Sequence, residues 1–489
     1  MKKKILFRAD GNQFIGLGHL YRLFAVIEML KGNYEFVLAT KSSSTTVIVP
    51  NDYELFLIPD EIDIPSEPNW LGHNFKASEY IVVADGYQFD SRYQEQIKRN
   101  KYQLVYIDDL AQEHMFADIV INHAPLLDIS SYTAEEYTRY GLGTKYALLR
   151  PAFLESARRE RAVSNTDTAF VCFGGADMLN LSAKVTKGLL ATSFTNTIHI
   201  VLGEAYKHNE IFDLVRHPGK KVHIHRNLSE VELINVMSSC NFAIVPTSTI
   251  FYELCCVKMP ILAGYFVENQ KLIYEAMAKE EVILEGGDFA QYSVSDFEKV
   301  FRHKLGAIDP KAYTAKQHVI FDGNSGKRVL GLINGLNVSF RVAEESDLQR
   351  TFEWSSDAEV RKNSFHSETI TIESHTTWFL NKIVQSSTLF LIVLVNGCPA
   401  GVVRYENSAE ATVVGILISA KFRGQNLASP ILRKSADICF EKFESPILAY
   451  IKKENIASSR SFEKAGYAFI EEKEIQGHES GVYKLEQEK

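Results

Sequence analysis

Residues 5–22, ILFRADGNQFIGLGHLYR, decide the fold of the first part of the chain. The apolar run Ile5–Phe7 is typical of a short buried strand; a polar loop follows, and Gly16 and Gly18 precede a helical pattern. Short apolar runs alternate with helical patterns as far as residue 121, and a second such series follows from residue 169 to residue 245. We therefore predict an α/β fold with two consecutive Rossmann-like domains, whose ligands bind at the carboxyl ends of the strands.

The pattern changes near residues 336–339. Three predicted strands then follow in close succession, at 388–395, 399–405 and 411–419, before a helix, a strand, a helix and a final strand pair. Strands joined by short turns favour antiparallel pairing, which indicates an α+β domain. For 489 residues, ordinary domain sizes favour about three domains, which we predict at 1–155, 156–335 and 338–489.

The composition limits the classes of function. A formal net charge of −8 argues against a nucleic-acid binder, which normally has a basic face. The apolar runs are too short for a signal peptide core or a membrane span, so we expect a cytoplasmic protein without membrane insertion. The six cysteines form no CxxC pair, so we expect buried, reduced thiols and no bound metal ion.

His19 directly follows the glycine turn. Glycines between a strand and a helix let backbone N–H groups approach an anionic ligand, which makes Gly16 and Gly18 candidates for a nucleotide site. A dinucleotide-binding fingerprint would need a third glycine and an acidic residue after the second strand, and both are missing. An imidazole can take a proton from water at neutral pH, so His19 is a candidate general base. The alternative is a histidine that packs against the sheet at the start of its helix.

Polar residues and glycines recur at the ends of the other predicted strands. They are Asp85-Gly86-Tyr87, Asp108-Asp109, Gly174-Gly175-Ala176-Asp177, Thr247-Ser248-Thr249 with Glu253, and Asn269-Gln270. Each segment alone is ordinary turn chemistry. Their repetition in both domains favours a nucleoside diphosphate, with loops and helix N-termini around the phosphates and a carboxylate on the ribose hydroxyls.

These segments, in this order and approximate spacing, resemble the UDP-sugar hydrolase family of pseudaminic acid biosynthesis. The resemblance includes Leu148-Leu149-Arg150-Pro151 and covers residues 1 to about 335. It implies a glycosyltransferase-B-like pair of Rossmann-like domains. The implied reaction is the hydrolysis of UDP-2,4-diacetamido-2,4,6-trideoxy-β-L-altropyranose with inversion at C1.

The same resemblance implies roles for individual residues. His19 is the expected catalytic base, and Tyr87 is expected near the sugar. Gly86 is a departure, because family members often have a histidine there, and this leaves the fine substrate preference open. The residues expected to bind the UDP-sugar are Asp10, Gly16, Gly18, Gly174, Gly175, Ser248, Thr249, Glu253 and Asn269, the last two on the nucleotide and phosphate side.

A second resemblance follows the predicted strand 412–419. The run Arg423-Gly424-Gln425-Asn426-Leu427-Ala428 resembles the pyrophosphate loop of GNAT-type N-acetyltransferases, [Q/R]-x-x-G-x-[G/A], with Asn426 in place of the middle glycine. The segment 454–467 resembles the Asn-to-Gly-Phe motif of the same family. Together they imply that acetyl-CoA is a co-substrate, with backbone N–H groups around its pyrophosphate. The residues expected to bind it are Arg423, Gly424, Gln425, Asn426, Ala428 and Asn455.

Phe462 lies where many GNAT enzymes have a tyrosine that protonates the departing CoA thiolate, and phenylalanine cannot donate a proton. The segment Trp354–Trp378 is expected to form the acceptor side, although His366 and His375 within it are better explained as structural residues. The two resemblances predict a bifunctional enzyme that N-acetylates the 4-amine of a UDP-linked sugar and then removes UDP. Two alternatives remain: a UDP-sugar glycosyltransferase, and a hydrolase with a CoA-binding module that does not catalyse transfer.

Overall fold

The computed structural model describes residues 2–12, 14–163, 165–306 and 308–487, apart from the side chain of Asn269. Two large parallel sheets are followed by a third, mixed sheet, and residues 114–115 and 133–134 form a separate two-stranded parallel sheet. The α/β character and the C-terminal α+β region predicted from the sequence are confirmed. None of the described helices is both long and apolar enough to cross a membrane.

The first parallel sheet contains the strand that opens the chain. Buried residues of α1 cover one of its faces, and residues of α2 and α3 pack against the other. The strand order is 3-2-1-4-5-7-9, and the order reverses between the neighbours β1 and β4. The elements are β1 (Lys4–Arg8), α1 (Gly18–Leu30), β2 (Phe36–Lys41), β3 (Leu55–Ile58), α2 (Glu67–Asn74), β4 (Tyr80–Asp85), α3 (Ser91–Arg99), β5 (Gln103–Ile107), β6 (His114–Met115), β7 (Ile119–Asn122), β8 (Thr133–Ala134), β9 (Arg139–Leu142) and α4 (Pro151–Arg158).

The second parallel sheet has the order 12-11-10-13-14-15, which is the doubly wound arrangement of a Rossmann-like domain. In this sheet the strand order reverses between the neighbours β10 and β13, which is its switch point. The elements are β10 (Thr168–Val171), α5 (Leu181–Leu190), β11 (Thr197–Leu202), α6 (Glu210–Asp213), β12 (Lys221–Arg226), α7 (Glu230–Ser239), β13 (Phe242–Pro246), α8 (Thr249–Val257), β14 (Ile261–Tyr265), α9 (Glu268–Lys279), β15 (Leu284–Asp288), α10 (Val294–Leu305), α11 (Pro310–Ile320) and α12 (Ser325–Leu336).

Two helices do not pack on the sheet whose strands precede them in the sequence, but on the other parallel sheet. Phe153 of α4 lies in a core shared with α8 of the second sheet. Val329 and Ile333 of α12 lie in the core of the first sheet, against α1. The chain therefore crosses between the two sheets, and the predicted division at residues 155–156 and 335–338 stays a prediction.

The third sheet is antiparallel except where β19 meets β20. These two strands pair only through Thr412–Ile447 and Val413–Leu448, and beyond those positions they diverge. The elements are β16 (Val338–Val342), α13 (Leu348–Ser355), α14 (Ala358–Asn363), α15 (Ile372–Val384), β17 (Thr388–Val395), β18 (Cys398–Asn407), β19 (Thr412–Ile418), α16 (Ala428–Lys442), β20 (Ile447–Lys452), α17 (Ile456–Lys464), β21 (Ala468–Ile475) and β22 (His478–Leu485).

Candidate functional site

His19 and Asp85 meet at the switch point of the first sheet. Gly16, with φ +79°, turns the chain after β1, and α1 begins at Gly18. This places His19 in the first turn of α1, while Asp85 is the last residue of the adjacent strand β4. The His19 Nδ1 atom lies 2.7 Å from Oδ1 of Asp85. The sequence motif alone did not indicate this pair, because it depends on β1 and β4 being neighbours.

Asp85 is held as an anion by Arg22. Its carboxylate is fully buried, and it accepts hydrogen bonds from Arg22 Nε at 2.7 Å and Arg22 Nη2 at 2.6 Å. Burial would raise the pKa of Asp85, but the Arg22 guanidinium and His19 bring this pKa below its ordinary value. An ionised carboxylate can only accept, so the 2.7 Å contact requires a proton on His19 Nδ1, and in the neutral imidazole the lone pair then lies on Nε2. This is the tautomer that a general base needs.

Tyr87 stands over His19 at the same edge of the sheet. The two rings meet edge to face with their centroids 4.8 Å apart. The Tyr87 hydroxyl donates to Oδ2 of Asp109 at 3.1 Å, and the same oxygen accepts from Arg22 Nη1 at 3.0 Å. Burial and Asp109 raise the pKa of Tyr87, so the phenol keeps its proton at neutral pH. The structure thus joins His19, Tyr87, Asp85 and Asp109 through Arg22, which sequence reasoning had not singled out.

Asp10 has a different position from the one expected. It is buried, and Arg8 donates to both of its oxygens, at 2.5 and 2.8 Å. Its carboxylate also accepts from the backbone of Lys41 and from the side chain of Gln88. Asp10 therefore braces the loop after β1, and its geometry favours support of the site over direct contact with a UDP-sugar.

The glycines predicted to bind the nucleotide border open space. A methyl group built on Gly16, Gly18, Gly174 or Gly175 would meet no other atom within 4 Å. Gly174 has φ +83°, in the left-handed region that glycine adopts freely. The backbones of these glycines are accessible at the carboxyl ends of β1 and β10, as a phosphate-binding role requires.

Ser248 and Thr249 open helix α8 at the carboxyl end of β13. Ser248 precedes the helix without capping it, so the first N–H groups of α8 do not bond to its side chain. The Thr247 hydroxyl donates to the carbonyl of Gln270 at 2.7 Å and so ties this turn to the start of α9. Asn269 lies in that first turn of α9, but its side chain falls outside the described part of the chain.

Glu253 lies on α8, where the two parallel-sheet regions meet. Arg150 donates to its Oε1 from Nη2 at 2.7 Å and from Nε at 3.2 Å, leaving Oε2 outside the ion pair. Burial raises the pKa of Glu253, and Arg150 opposes that rise. The neighbouring Tyr252 hydroxyl donates to the carbonyl of His123, which directly follows β7. Helix α8 thus touches the carboxyl edge of the first sheet, close to the His19 site.

The loop Arg423–Ala428 has the backbone shape of an anion cradle. Gly424 has φ +75°, and Asn426 has φ +55°, a left-handed conformation that asparagine tolerates better than most residues. Helix α16 then begins at Ala428 without a side-chain cap. Arg423 pairs with Asp357 at 2.7 Å, which lowers the pKa of that carboxyl group. The substitution of Asn426 for glycine therefore preserves the turn.

Two residues expected to contact acetyl-CoA are engaged elsewhere. The Gln425 side chain faces helix α12 and accepts a hydrogen bond from Asn334 Nδ2 at 2.7 Å. The Asn455 side chain caps α17 by accepting from the backbone of Ser458 at 3.1 Å. Phe462 is only 3% exposed and packs against Tyr467 in the core, away from solvent.

A cavity of about 380 Å³ lies in the segment expected to form the acceptor side. Arg361 and Lys362 line it, and neither forms an ion pair with a carboxylate among the described residues. Lys452, the last residue of β20, donates to the Lys362 carbonyl at 3.3 Å, so the cavity lies near the carboxyl end of β20. His375 is buried and bonds to Thr351, in keeping with a structural role.

Comparisons with known proteins match the chain to two kinds of enzyme. Residues 337–468 match the acetyltransferase (GNAT) domain family. A UDP-2,4-diacetamido-2,4,6-trideoxy-beta-L-altropyranose hydrolase of Campylobacter jejuni is 24% identical over 288 residues, which cover 57% of this chain and 97% of that protein. An uncharacterized protein of Methanocaldococcus jannaschii is 23% identical over 499 residues, which cover 95% of this chain and 96% of that protein.

Solved structures of acetyltransferases match about 30% of the chain. The aminoglycoside acetyltransferase AAC(6')-Ib in complex with ribostamycin and coenzyme A is 18% identical, with a TM-score of 0.29, and the match covers 31% of this chain and 94% of that one. A spermidine N-acetyltransferase from Vibrio cholerae is 15% identical, with a TM-score of 0.28, and the match covers 30% of this chain and 94% of that one. The predicted resemblance is confirmed: the chain joins a region similar to a UDP-sugar hydrolase to a C-terminal acetyltransferase (GNAT) domain.

Proposed function

We propose that the chain is a bifunctional enzyme of pseudaminic acid biosynthesis. Its first two domains, in a glycosyltransferase-B-like arrangement, hydrolyse UDP-2,4-diacetamido-2,4,6-trideoxy-β-L-altropyranose to UDP and free sugar. Its GNAT domain N-acetylates the 4-amino group of the UDP-sugar precursor with acetyl-CoA. The observation that carries the hydrolase assignment is the contact of His19 with the buried, ionised Asp85 at the switch point of the first sheet.

In the proposed hydrolysis, His19 activates a water molecule. The Nε2 lone pair takes a proton from the water, whose oxygen forms a bond to C1 of the sugar from the face opposite UDP. The bond between C1 and the β-phosphate oxygen breaks, its electron pair stays on UDP, and the anomeric configuration inverts. The imidazolium that forms is stabilised by the Asp85 carboxylate 2.7 Å away, which remains ionised throughout.

We propose that UDP binds at the second sheet. The open backbones of Gly174 and Gly175 and the uncapped start of α8 at Ser248 and Thr249 suit the diphosphate, because helix N-termini and glycine turns favour anions. The Oε2 atom of Glu253, which lies outside the Arg150 pair, suits the ribose hydroxyls. Since α8 contacts the end of β7, a nucleotide held there would extend its sugar towards the His19 site.

The test of this assignment is UDP release by His19→Ala. General base catalysis contributes about 10²–10⁴-fold, so the variant should lose at least a hundredfold in rate while UDP still binds. A variant that retains near-wild-type release would contradict the assignment. Release of free sugar and UDP without any acceptor separates a hydrolase from the alternative glycosyltransferase.

For acetyl transfer, we propose that the CoA pyrophosphate lies on the loop Arg423–Ala428 and its thioester between the diverging β19 and β20. The neutral amine of the sugar forms a C–N bond to the thioester carbonyl carbon. The C–S bond then breaks, CoA leaves as a thiolate, and the amine loses a proton to solvent. Phe462 cannot protonate the thiolate, but a thiol of ordinary pKa near 8.5 is a tolerable leaving group without that help.

The acceptor is proposed to carry its diphosphate during this step. Arg361 and Lys362 line the cavity near the carboxyl end of β20, neither is paired with a carboxylate among the described residues, and such cations favour phosphate groups. Replacing both by glutamine should raise the KM for the UDP-linked amine at least tenfold while leaving the KM for acetyl-CoA unchanged. Equal loss for both substrates, or no loss, would contradict this placement of the diphosphate.

A further inference from the structure

Helix α12 lies between the first parallel sheet and the loop expected to bind acetyl-CoA. On one side, Val329, Leu330 and Ile333 are buried in the core that also contains α1, the helix of His19. The Tyr34 hydroxyl, four residues beyond the end of α1, also donates to Oδ1 of Asn334 in α12 at 2.7 Å. The helix is therefore fixed to the hydrolase-like region.

The other side of α12 touches the main chain of the loop. A methyl group added at Gly331 would lie 2.0 Å from the carbonyl oxygen of Gln425 and 2.7 Å from its carbonyl carbon, so only glycine allows this approach. Three residues further on, Asn334 Nδ2 donates to Oε1 of Gln425 at 2.7 Å. Both amide side chains are buried, with 4% of Asn334 and 7% of Gln425 exposed.

The residue that α12 holds is the centre of the loop. Gln425 lies between Gly424 at φ +75° and Asn426 at φ +55°, and a left-handed backbone is unfavourable at a non-glycine residue unless its surroundings fix it. The Gln425 side chain supplies two such contacts, because its Nε2 donates to the Lys421 carbonyl at 3.2 Å while its Oε1 bonds to α12. Contacts with α12 thus help to orient the backbone N–H groups of the loop that would bind the pyrophosphate.

We infer that α12 holds the acetyl-CoA loop in its binding shape, with Gly331 and Asn334 as positioning residues. This inference rests on the proposed binding of acetyl-CoA by the loop. Because α12 belongs to the core of the first sheet, the CoA affinity of the acetyltransferase domain depends on the hydrolase-like region. The C-terminal domain is then not an independent module, although its family match begins only at residue 337.

The test uses the full chain and calorimetric titration with acetyl-CoA. Gly331→Ala should weaken acetyl-CoA binding at least tenfold, since the new methyl group must displace Gln425. Gly326→Ala is the matched control on the same helix, because a methyl group there makes only ordinary contacts at 3.4 Å and beyond, and it should bind as wild type does. The KM for acetyl-CoA should rise in the first variant, while the KM for the acceptor and the rate of UDP release stay unchanged.

Asn334→Ala provides a second route if Gly331→Ala does not fold. Alanine preserves the helix but removes the bond to Gln425, so acetyl-CoA binding should weaken severalfold. Wild-type affinity in the folded Gly331→Ala variant, or in Asn334→Ala when the first does not fold, would overturn the inference while leaving the acetyltransferase assignment intact. If the wild-type protein itself does not bind acetyl-CoA, the proposed function of the loop is wrong and its positioning by α12 falls with it.

Discussion

Replacing Asp85 by asparagine changes the hydrogen-bonding capacity at His19 with almost no change in shape. The carboxylate accepts from His19 Nδ1 at 2.7 Å and from Arg22 at 2.6 and 2.7 Å. An amide has one oxygen and one NH₂ group, so in either orientation a donor faces a donor. If the NH₂ group faces His19, the imidazole keeps its proton on Nε2 and cannot accept one from water.

The expected loss follows from that change of tautomer. General base catalysis is worth about 10²–10⁴-fold, so Asp85→Asn should lower the rate of UDP release by at least about a hundredfold. With the NH₂ group facing His19, Arg22 keeps its hydrogen bond from Nε to the amide oxygen and its 3.0 Å contact with Asp109, but it loses the charge of its partner, and breaking a buried ion pair costs about 3–5 kcal/mol when nothing replaces the partner. Because asparagine still offers a dipole, we expect a smaller loss of roughly 2 kcal/mol in the free energy of unfolding.

The assay is the initial rate of UDP release at saturating UDP-sugar, together with calorimetric UDP affinity and thermal unfolding. Asp118→Asn is the control, because Asp118 forms a 2.5 Å ion pair with Lys98 in the same domain without touching the site. It should lower stability and leave the rate unchanged. The double variant His19→Ala with Asp85→Asn should be no slower than His19→Ala alone, since the two residues act as a unit. A folded Asp85→Asn protein that releases UDP within threefold of the wild-type rate would refute this reasoning.

Three further perturbations have defined outcomes. Glu253→Ala should weaken UDP binding by about ten- to a hundredfold, because a charge-assisted hydrogen bond contributes roughly 1.5–3 kcal/mol, and unchanged affinity by calorimetry would place the ribose contact elsewhere. Phe462→Tyr should lower the melting temperature without raising the acetyl-transfer rate, since the ring is buried against Tyr467 and a hydroxyl must be fitted into that core; a severalfold faster enzyme would show that position 462 reaches the thioester. The pKa of Asp322 is lowered to about 2, chiefly by its hydrogen bonds from Arg328. The contribution of this ion pair to the free energy of unfolding is therefore complete above the ordinary pKa of 3.8, and it is lost as the pH falls from there towards 2. Discounted for partial exposure, Asp322→Asn should cost about 1 kcal/mol at pH 7 by thermal unfolding, and the difference from wild type should shrink below pH 4; a pH-independent difference would contradict the role of the pair.

Periodicity and turn chemistry predicted most of the strands, because buried parallel strands are short apolar runs between turn residues. The strand predicted at 388–395 coincides with β17 (Thr388–Val395), where the sequence is almost wholly apolar. Strand β9 was missed because Arg139–Leu142 has no such run and pairs at the end of the sheet. The resemblance to a hydrolase and a GNAT domain was also available from the sequence, since it depends on local motifs.

The contacts between residues of different motifs could be found only in the structure. Asp85 stood out as a residue at the end of a strand, but its contact with His19 follows from the pairing of β1 with β4, which neither segment encodes alone. Asn426 was a mismatch to the loop pattern, and only its φ of +55° shows that the turn is preserved. The packing of α12 across two regions depends on Gly331 and on surfaces far apart in sequence.

The central claim is that one chain acetylates a UDP-linked amino sugar and then removes its UDP. The most direct test is to incubate the purified full-length protein with the UDP-linked 4-amino precursor of the diacetamido sugar and with acetyl-CoA, following all products by mass spectrometry and NMR. We expect first the UDP-linked diacetamido sugar with free CoA, and then UDP with the free diacetamido sugar, inverted at C1. Release of UDP from the unacetylated precursor at the same rate, or recovery of an intact UDP-sugar with no acetyl group added, would contradict it.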